Sequence, residues 1–595
     1  MSHRQILLVI YGLMAGMFLA SLDQTIVGTA IRTIGDDLHG LNDQAWVTTA
    51  YLITSTITVP IYGKLSDLFG RRWLYIFGIV VFIVGSLASS FSGTMFELAG
   101  FRAFQGLGAG ALMSLPLAIM GDILAPRERA KYQGYFLAVF GLSSVIGPLI
   151  GGLFAGAHQI LWITGWRWVF LINIPIGVIA LLMVLAFLHL PKFVAANKPR
   201  VDWFGAALVV ITLVPVLLVA EEGRTWGWGS WGSILCYVVA GVGLISFILV
   251  ERVMGLDAII PLRLFKSRTF SMATILGVLV GFGMFGALLT LPLYLQIVFG
   301  LSPTNSGLAS LPLMVGLLIA SIGSGQIISR TGKYRIFPVT GTIVLAAGYL
   351  VLTFLTYDKP LWYIFIAMFL IGLGLGQMMQ TLTLASQNAV EPTQMGVATG
   401  ASTFFRQIGG TLGVAVLLSV LFAALPGNVF AANENTATIS AGLNAALTPS
   451  IADAPKNKAI MKQEWTAIVT PIKAKAAGVD FSNATQRAVI VKNAVPNVVK
   501  EFKKLATSKK TSSSSSVSDT SFLNGATPAL TKAFKVGFNT SVIQIYWIGL
   551  GVILLAFVLS LFFKVPPLRK TSALQQRAND AGVTETGRIK TQPEA

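Results

Sequence analysis

The stretch GKLSDLFGRR, residues 63–72, separates two long apolar runs, and it recurs in altered form as GQIISRTGKY at residues 325–334. In both copies two glycines stand seven residues apart and a basic residue follows the second, and the copies are offset by 262 positions. A second pair, GLGAG at Gly106–Gly110 and GLGLG at Gly372–Gly376, is offset by 266. Two matches at nearly one offset predict a duplicated unit. A glycine cluster that cradles phosphate needs a strand before it and a helix opening after it. Both clusters sit instead inside apolar helical runs, which points to close packing between helices.

Working outward, apolar runs of about 20 residues, each long enough to cross a bilayer, fill nearly the whole chain. Of its 595 residues 54% are hydrophobic and 11% charged, with a mean hydropathy of +0.74; soluble proteins carry about a quarter charged residues. The runs predict an all-α integral membrane protein with fourteen transmembrane helices. They lie near Ile6–Ile31, Ala45–Tyr62, Trp73–Phe91, Met95–Gly121, Tyr132–Ala157, Trp166–Leu190, Trp203–Ala220 and Trp231–Val250. The last six lie near Phe270–Phe299, Ser306–Ile328, Ile336–Thr356, Leu361–Ala385, Gly396–Phe422 and Val542–Phe563. Residues 1–190 form one six-helix bundle and 269–563 its pseudo-repeat, with two inserted helices at 191–268 and a tail at 564–595. The apolar start of the chain outruns a signal-peptide core and reads as the first span.

The net charge of +19 does not indicate nucleic acid, because the basic residues cluster in short loops beside helix ends. One set of loops holds Lys64, Arg71, Arg72, Arg127, Arg129, Lys131, Lys192, Lys198, Arg200 and seven more as far as Arg335, against Arg224 and Lys359 in the other set. The positive-inside rule then puts both termini in the cytoplasm. Residues 423–541 form a long outer loop, read as a spacer or small cap, with amphipathic helices at Lys456–Thr470 and Thr485–Ala506, the second interrupted by Pro496. A flexible serine run spans Ser512–Ser516. Partner docking by this loop is the sharper alternative.

Ionisable groups within spans are costly and mark functional candidates. Asp23 in helix 1 and Arg102 in helix 4 both lie roughly 10–12 Å below the outer surface, taking 1.5 Å per residue. They share a level and can pair. Burial favours the neutral carboxyl and a nearby guanidinium favours the carboxylate, so a movement between the two helices would load or unload a proton at Asp23. A static pair holding helices 1 and 4 together is the alternative. Arg406 lies near the middle of helix 13, and Glu97 sits at the edge of helix 4. In the loop after helix 2, Gly63 and Gly70 permit a tight turn, and Asp67 can face the positive end of a neighbouring helix. Arg71 and Arg72 are topology anchors and candidate partners of Asp122. Together these form a conformational latch, unless they only fix orientation. In helix 5, Pro148 removes a helical hydrogen bond while Gly147, Gly151 and Gly152 allow close approach, which suits a bent seam between the halves.

The single Cys236 excludes an intrachain disulfide and a cysteine-based metal site. The four histidines, His3, His39, His158 and His189, lie near termini or span edges. No Ser/His/Asp arrangement is visible, so an enzyme is disfavoured, and duplicated halves without a ring of charge disfavour a channel.

GKLSDLFGRR, FRAFQGLGAG (residues 101–110), SLDQTIVGTAI (21–31), the Gly147–Gly152 run, WRWVFLINIPIG (166–177) and FFRQIGGTLGVAV (404–416) resemble motifs of the major facilitator superfamily, in its fourteen-helix drug:proton antiporter branch. The resemblance covers all but the long loop and the tail. It departs at Ser143, where the branch prefers Gly, although Gly134 fits upstream, and at Gly28, where the branch has Asn; both bear on substrate rather than class. The resemblance implies proton-driven export of hydrophobic or amphipathic compounds by alternating access in a bacterial plasma membrane. It assigns proton coupling to Asp23 and Arg102, and a cavity to Tyr51, Gln296, Gln377, Gln380 and Arg406, with Arg406 alternatively favouring anionic substrates or repelling protons from a leak path. The alternative cargo is an endogenous lipid, glycolipid or metabolite. The expected partners are the bilayer, protons and a small substrate. No cofactor or metal is expected beyond the proton gradient as energy source, and the chain is expected to act as a monomer.

Overall fold

The computed structural model describes residues 3–39, 44–189, 201–255, 257–476, 478–507, 521–523, 525–569, 571–572 and 575–576. The first bundle contains α1 (His3–Asp37), α2 (Gln44–Phe69), α3 (Arg71–Ser90), α4 (Met95–Ile123), α5 (Pro126–Gly156) and α6 (Gly165–Phe187). Then come α7 (Trp203–Trp226) and α8 (Trp231–Met254). The second bundle contains α9 (Arg268–Ile297), α10 (Thr304–Thr331), α11 (Ile336–Thr353), α12 (Leu361–Asn388), α13 (Met395–Asn433) and α14 (Pro528–Leu561). Several starts are capped by the side chain the sequence places there. Thr94 accepts from the Glu97 amide at 3.2 Å and Glu97 accepts from the Gly93 amide at 2.9 Å, which accounts for Glu97 at the edge of α4.

Among the described residues, 13 helices are long and apolar enough to cross a membrane. The other long bundle helix is α2, whose apolar run is broken by Thr48, Thr49, Thr54, Ser55, Thr56 and Thr58. Several of its hydroxyls are satisfied within the helix: Thr54 donates to the Ala50 carbonyl at 2.9 Å and Thr58 to that of Thr54 at 2.8 Å. A helix can therefore carry these groups into an apolar setting.

The duplication is visible in the packing. In the first bundle α4 packs on α2 and α3, α1 on α5 and α6, and α3 on α6. In the second, α12 packs on α10 and α11, α9 on α13 and α14, and α11 on α14. The glycine clusters make several close approaches of this kind. Gly106 and Gly110 face α2 while Gly108 faces α3; likewise Gly372 and Gly376 face α10 while Gly374 faces α11. A methyl group at Gly106 would lie 2.7 Å from the Tyr51 carbonyl oxygen, so only hydrogen fits there. The bundles meet along two seams related by the same duplication, α2 with α13 and α5 with α10. The inserted pair α7–α8 lies beside the first seam, where Leu213 and Leu217 share an apolar cluster with Ile57, Ala398 and Phe404.

Several expectations are revised. Gly63 lies in no turn: α2 runs on to Phe69, and the turn is made at Gly70 alone, with φ 91°. The tenth run is a short helix, Pro303–Leu308, followed by a longer one, Leu311–Thr331. The long loop is shorter than 423–541, because α13 extends to Asn433 and α14 begins at Pro528. Between them lies a helical cap with Thr436–Leu447, Thr466–Lys475 and Ala484–Thr507 as its longest elements. Ala484–Thr507 passes Pro496 without interruption. Ile439, Leu443, Ile460, Trp465, Val491 and Val495 are buried in one core with Phe534 and Phe538 of α14. Residues 190–200, Ser512–Ser516 and most of the tail lie outside the described residues.

Candidate functional site

Asp23 and Arg102 are brought together as their shared depth predicts. The Arg102 Nη1 donates to Asp23 Oδ2 at 2.5 Å, and both side chains are fully buried. Two amides complete the carboxylate's surroundings: Gln105 Nε2 and Asn173 Nδ2 donate to Asp23 Oδ1 at 3.0 and 2.7 Å. Asn173 also donates to Ser86 Oγ at 2.9 Å, and Ser86 donates to the Phe170 carbonyl at 2.9 Å. Gln105 accepts from Arg102 at 2.8 Å. The guanidinium carbon lies 3.9 Å from the centre of the Tyr51 ring, a cation–π contact in a dry setting. One carboxylate thus joins α1, α4 and α6 directly and α3 through Ser86, while Tyr51 adds α2. Gln105 is one turn from Arg102 on α4. Asn173 was not assigned, although it is the one amide in the apolar run of α6 and lies in the quoted stretch WRWVFLINIPIG.

Helix α5 touches this site from behind. A methyl group at Gly147 would overlap Thr25 of α1, and one at Gly151 would lie 2.8 Å from the Ile26 carbonyl oxygen. Thr25 and Ile26 are the second and third residues after Asp23. Thr25 Oγ1 also donates to the Ser143 carbonyl at 3.1 Å. On its other face α5 meets the second bundle, with Pro148 against Gly307 and Gly152 against Thr304. The glycine–proline run is therefore a spacer one helix thick between the carboxylate's turn of α1 and the opposing bundle.

The residues expected to form a latch meet at the opposite end of the same helices. Asp67 accepts from the backbone amides of Gly396 and Val397 at 3.0 and 2.9 Å. These open the first turn of α13, where Gln394 supplies no side-chain cap, so the first bundle caps a helix of the second. Arg71 donates to Asp67 at 2.9 Å and to Asp122 at 2.7 Å. Arg72 does not reach Asp122; it donates to the Leu185 carbonyl at the end of α6, at 2.8 Å. The sequence offered both arginines as partners, and the direction of the α3 start selects Arg71. Gly63 gives the room this contact needs, since a methyl group there would lie 2.8 Å from the Gly396 carbonyl oxygen. At the twin seam Gly325 packs on the Ala130 carbonyl, and Ser329 stands where Asp67 would recur.

Of the five residues expected around a cavity, four each meet a different partner. Tyr51 is 2% exposed, beneath Arg102. Gln296 donates to Ser306 at 3.0 Å, tying α9 to the short first segment of α10. Gln377 accepts from Thr340 of α11 at 2.6 Å. Gln380 accepts from Ser321 at 3.1 Å and donates to the Ala130 carbonyl, inside the α5–α10 seam. Arg406 is half-buried on α13. A contact the sequence did not suggest is Arg129, which donates to the Gly121 and Leu124 carbonyls at 2.7 and 3.1 Å and to Gln387 of the other bundle at 2.7 Å.

Residues 13–414 match the family model described as Major Facilitator Superfamily. The chain belongs to that superfamily. It is 40% identical over 419 residues to the Multidrug transporter protein MdtP of Bacillus subtilis, covering 70% of this chain and 75% of the relative. It is 35% identical over 430 residues to Multidrug resistance protein 3 of the same organism, covering 72% and 81%. Among solved structures, the proton:xylose symporter XylE aligns with a TM-score of 0.51 at 13% identity, over 85% of this chain and 97% of that one. The human organic anion transporter MFSD10 aligns with a TM-score of 0.51 at 16% identity, over 69% and 93%. At these identities the structures speak for the all-α fold alone; the family match makes the chain a multi-pass membrane transporter of the superfamily.

Proposed function

We propose that this transporter is a proton-coupled antiporter that exports hydrophobic or amphipathic drugs and toxic compounds by alternating access, from a bacterial plasma membrane with both termini in the cytoplasm. The observation that carries the reading is the buried Asp23, held by Arg102, Gln105 and Asn173 on helices that converge from across one bundle. A carboxylate neutralised by a guanidinium in a dry site takes a proton when the guanidinium withdraws and gives it up when the guanidinium returns. Any shift of α1 against α4 changes that distance. The spacer α5 transmits such a shift to the seam, because it packs on α1 with one face and on α10 with the other. The relatives' names support drugs as the cargo. Basic loops at the latch end support the orientation.

The test is dye movement into inverted membrane vesicles under an imposed pH gradient, with ethidium as probe. Asp23→Asn keeps the shape and an acceptor for the two amides but removes the exchangeable proton. Gradient-driven accumulation should fall to the level of vesicles without the protein. Full accumulation by the variant would remove Asp23 from the coupling step. Lipid profiling of a deletion strain distinguishes an endogenous lipid cargo from a drug.

A further inference from the structure

Three arginines are buried within the bundles, and each is answered by the protein. Arg71 has Asp67 and Asp122, and Arg102 has Asp23. Arg129 has two carbonyls at the end of α4 and the Gln387 side chain. Arg406 differs: among the described residues no carboxylate, carbonyl or amide accepts a hydrogen bond from it. A guanidinium carries five donors in a planar fork, and leaving it unanswered in the middle of a membrane helix is costly.

Its position on α13 says where that fork lies. Met395, Thr399, Ser402 and Arg406 follow one another at intervals of four, three and four, which is one stripe of a helix. The first three line the side of α13 that faces α4 of the other bundle and α12 of its own. Met395 packs at Gly121 of α4, Thr399 accepts from Gln387 of α12 at 2.9 Å, and Ser402 meets Ser386 of α12 at 3.4 Å. Arg406 stands one turn beyond the last of these contacts, away from the latch. Three residues before it, and so beside it on the helix surface, Thr403 is 3% exposed and its hydroxyl has no partner.

From this we infer that Arg406 holds the oxyanion of an amphipathic cargo, a carboxylate or a group of like shape and charge, with the Thr403 hydroxyl as a second donor. The inference rests on the exporter reading and narrows it: the cargo set includes organic anions with an apolar body. The fork meets a carboxylate with two parallel bonds, so the guanidinium that lacks a partner in the empty protein gains one when cargo arrives.

The test is equilibrium binding to the purified transporter in an uncharged detergent, read by fluorescence polarisation. The probes are a monocarboxylate fluorescein dye and its methyl ester, which share the apolar body and differ in one charge. The wild type should bind the acid about tenfold more tightly than the ester, as one charge-assisted pair implies. Arg406→Gln should bind the two alike, and Arg406→Lys should keep part of the preference. Equal binding of acid and ester by the wild type, or an unchanged preference in Arg406→Gln, overturns the inference, as does a wild type that binds neither. Ethidium transport under a pH gradient, run on the same membranes, reports separately on the exporter reading, since ethidium carries no anion for Arg406 to hold.

Discussion

Replacing Asp67 by Asn should open the seam between α2 and α13. Asp67 accepts two backbone hydrogen bonds from the first turn of α13, at 3.0 and 2.9 Å, and one from Arg71 at 2.9 Å. An asparagine keeps one oxygen, so one of the two amides loses its acceptor and the other loses the charge assistance. A hydrogen bond to a charged group contributes about 1.5–3 kcal/mol, and a carboxylate at a helix N-terminus adds about 0.3–1 kcal/mol. Arg71 retains Asp122 at 2.7 Å, so the pair on that side survives. The closed arrangement should therefore lose about 2–3 kcal/mol relative to any arrangement in which α13 leaves Asp67. At 1.4 kcal/mol per factor of ten, that is a shift of roughly 30- to 150-fold in the equilibrium. Spin labels on Lys131 and Thr393, both exposed and on opposite bundles, read it in a Cys236→Ser background. The wild type should give one short distance, and Asp67→Asn a second, longer population. An unchanged distance distribution in Asp67→Asn would refute the idea that this carboxylate holds the bundles together.

Other perturbations follow the same logic. Gly151→Val should separate α5 from α1, because even a methyl group there lies 2.8 Å from the Ile26 carbonyl oxygen. Overpacking of this kind costs about 1–3 kcal/mol, so thermal unfolding in detergent should come several degrees lower and gradient-driven efflux should be lost. Asn173→Ala removes a donor from both Asp23 and Ser86; the unmet acceptors should cost about 1–3 kcal/mol, measured as a lower unfolding midpoint alongside weaker efflux. In the cap, burial pushes the Glu464 carboxyl above its ordinary value of 4.5. A carboxyl raised in the folded state gives stability that is present below the ordinary value and lost as pH rises through the raised one. Glu464→Gln should therefore unfold at a higher temperature than the wild type at pH 7.5, with the difference closing below pH 4.5. Arg569→Ala should loosen the tail, since Arg569 donates to the Asn388 and Val390 carbonyls at the end of α12; faster cleavage by added trypsin after Lys564 checks it.

The helices and their twofold plan were legible because apolar runs and glycine spacing are local properties that packing then obeys. Asp23 and Arg102 were legible because so few charges lie inside spans that equal depth was enough to pair them. The role of Asp67 could be read in kind, but the helix it caps follows only from the meeting of α2 and α13. Asn173 escaped because one amide in an apolar run gives no spacing to read; its role depends on α6 crossing α1 and α3. The contacts of the cavity residues were the least legible. A resemblance names positions on helices, but whether a glutamine turns to its own bundle, as Gln377 does toward Thr340, or into a seam, as Gln380 does toward Ala130, depends on helix rotation that sequence spacing does not specify. The cap was misjudged at its ends because Pro528–Thr540 and Ala423–Asn433 are too polar to count as a span yet continue helices already formed.

That cap has a mechanical consequence. Its helices rest on α13 and α14, and its Trp465 donates to the Leu530 carbonyl at 3.1 Å, so it is bolted to one bundle. When one bundle turns against the other, the cap rides along as a lever arm that lengthens the arc. A fluorophore on Lys473, exposed on that arm, would sweep farther than one on the helices beneath it, turning a small rotation at the seam into a readable displacement outside.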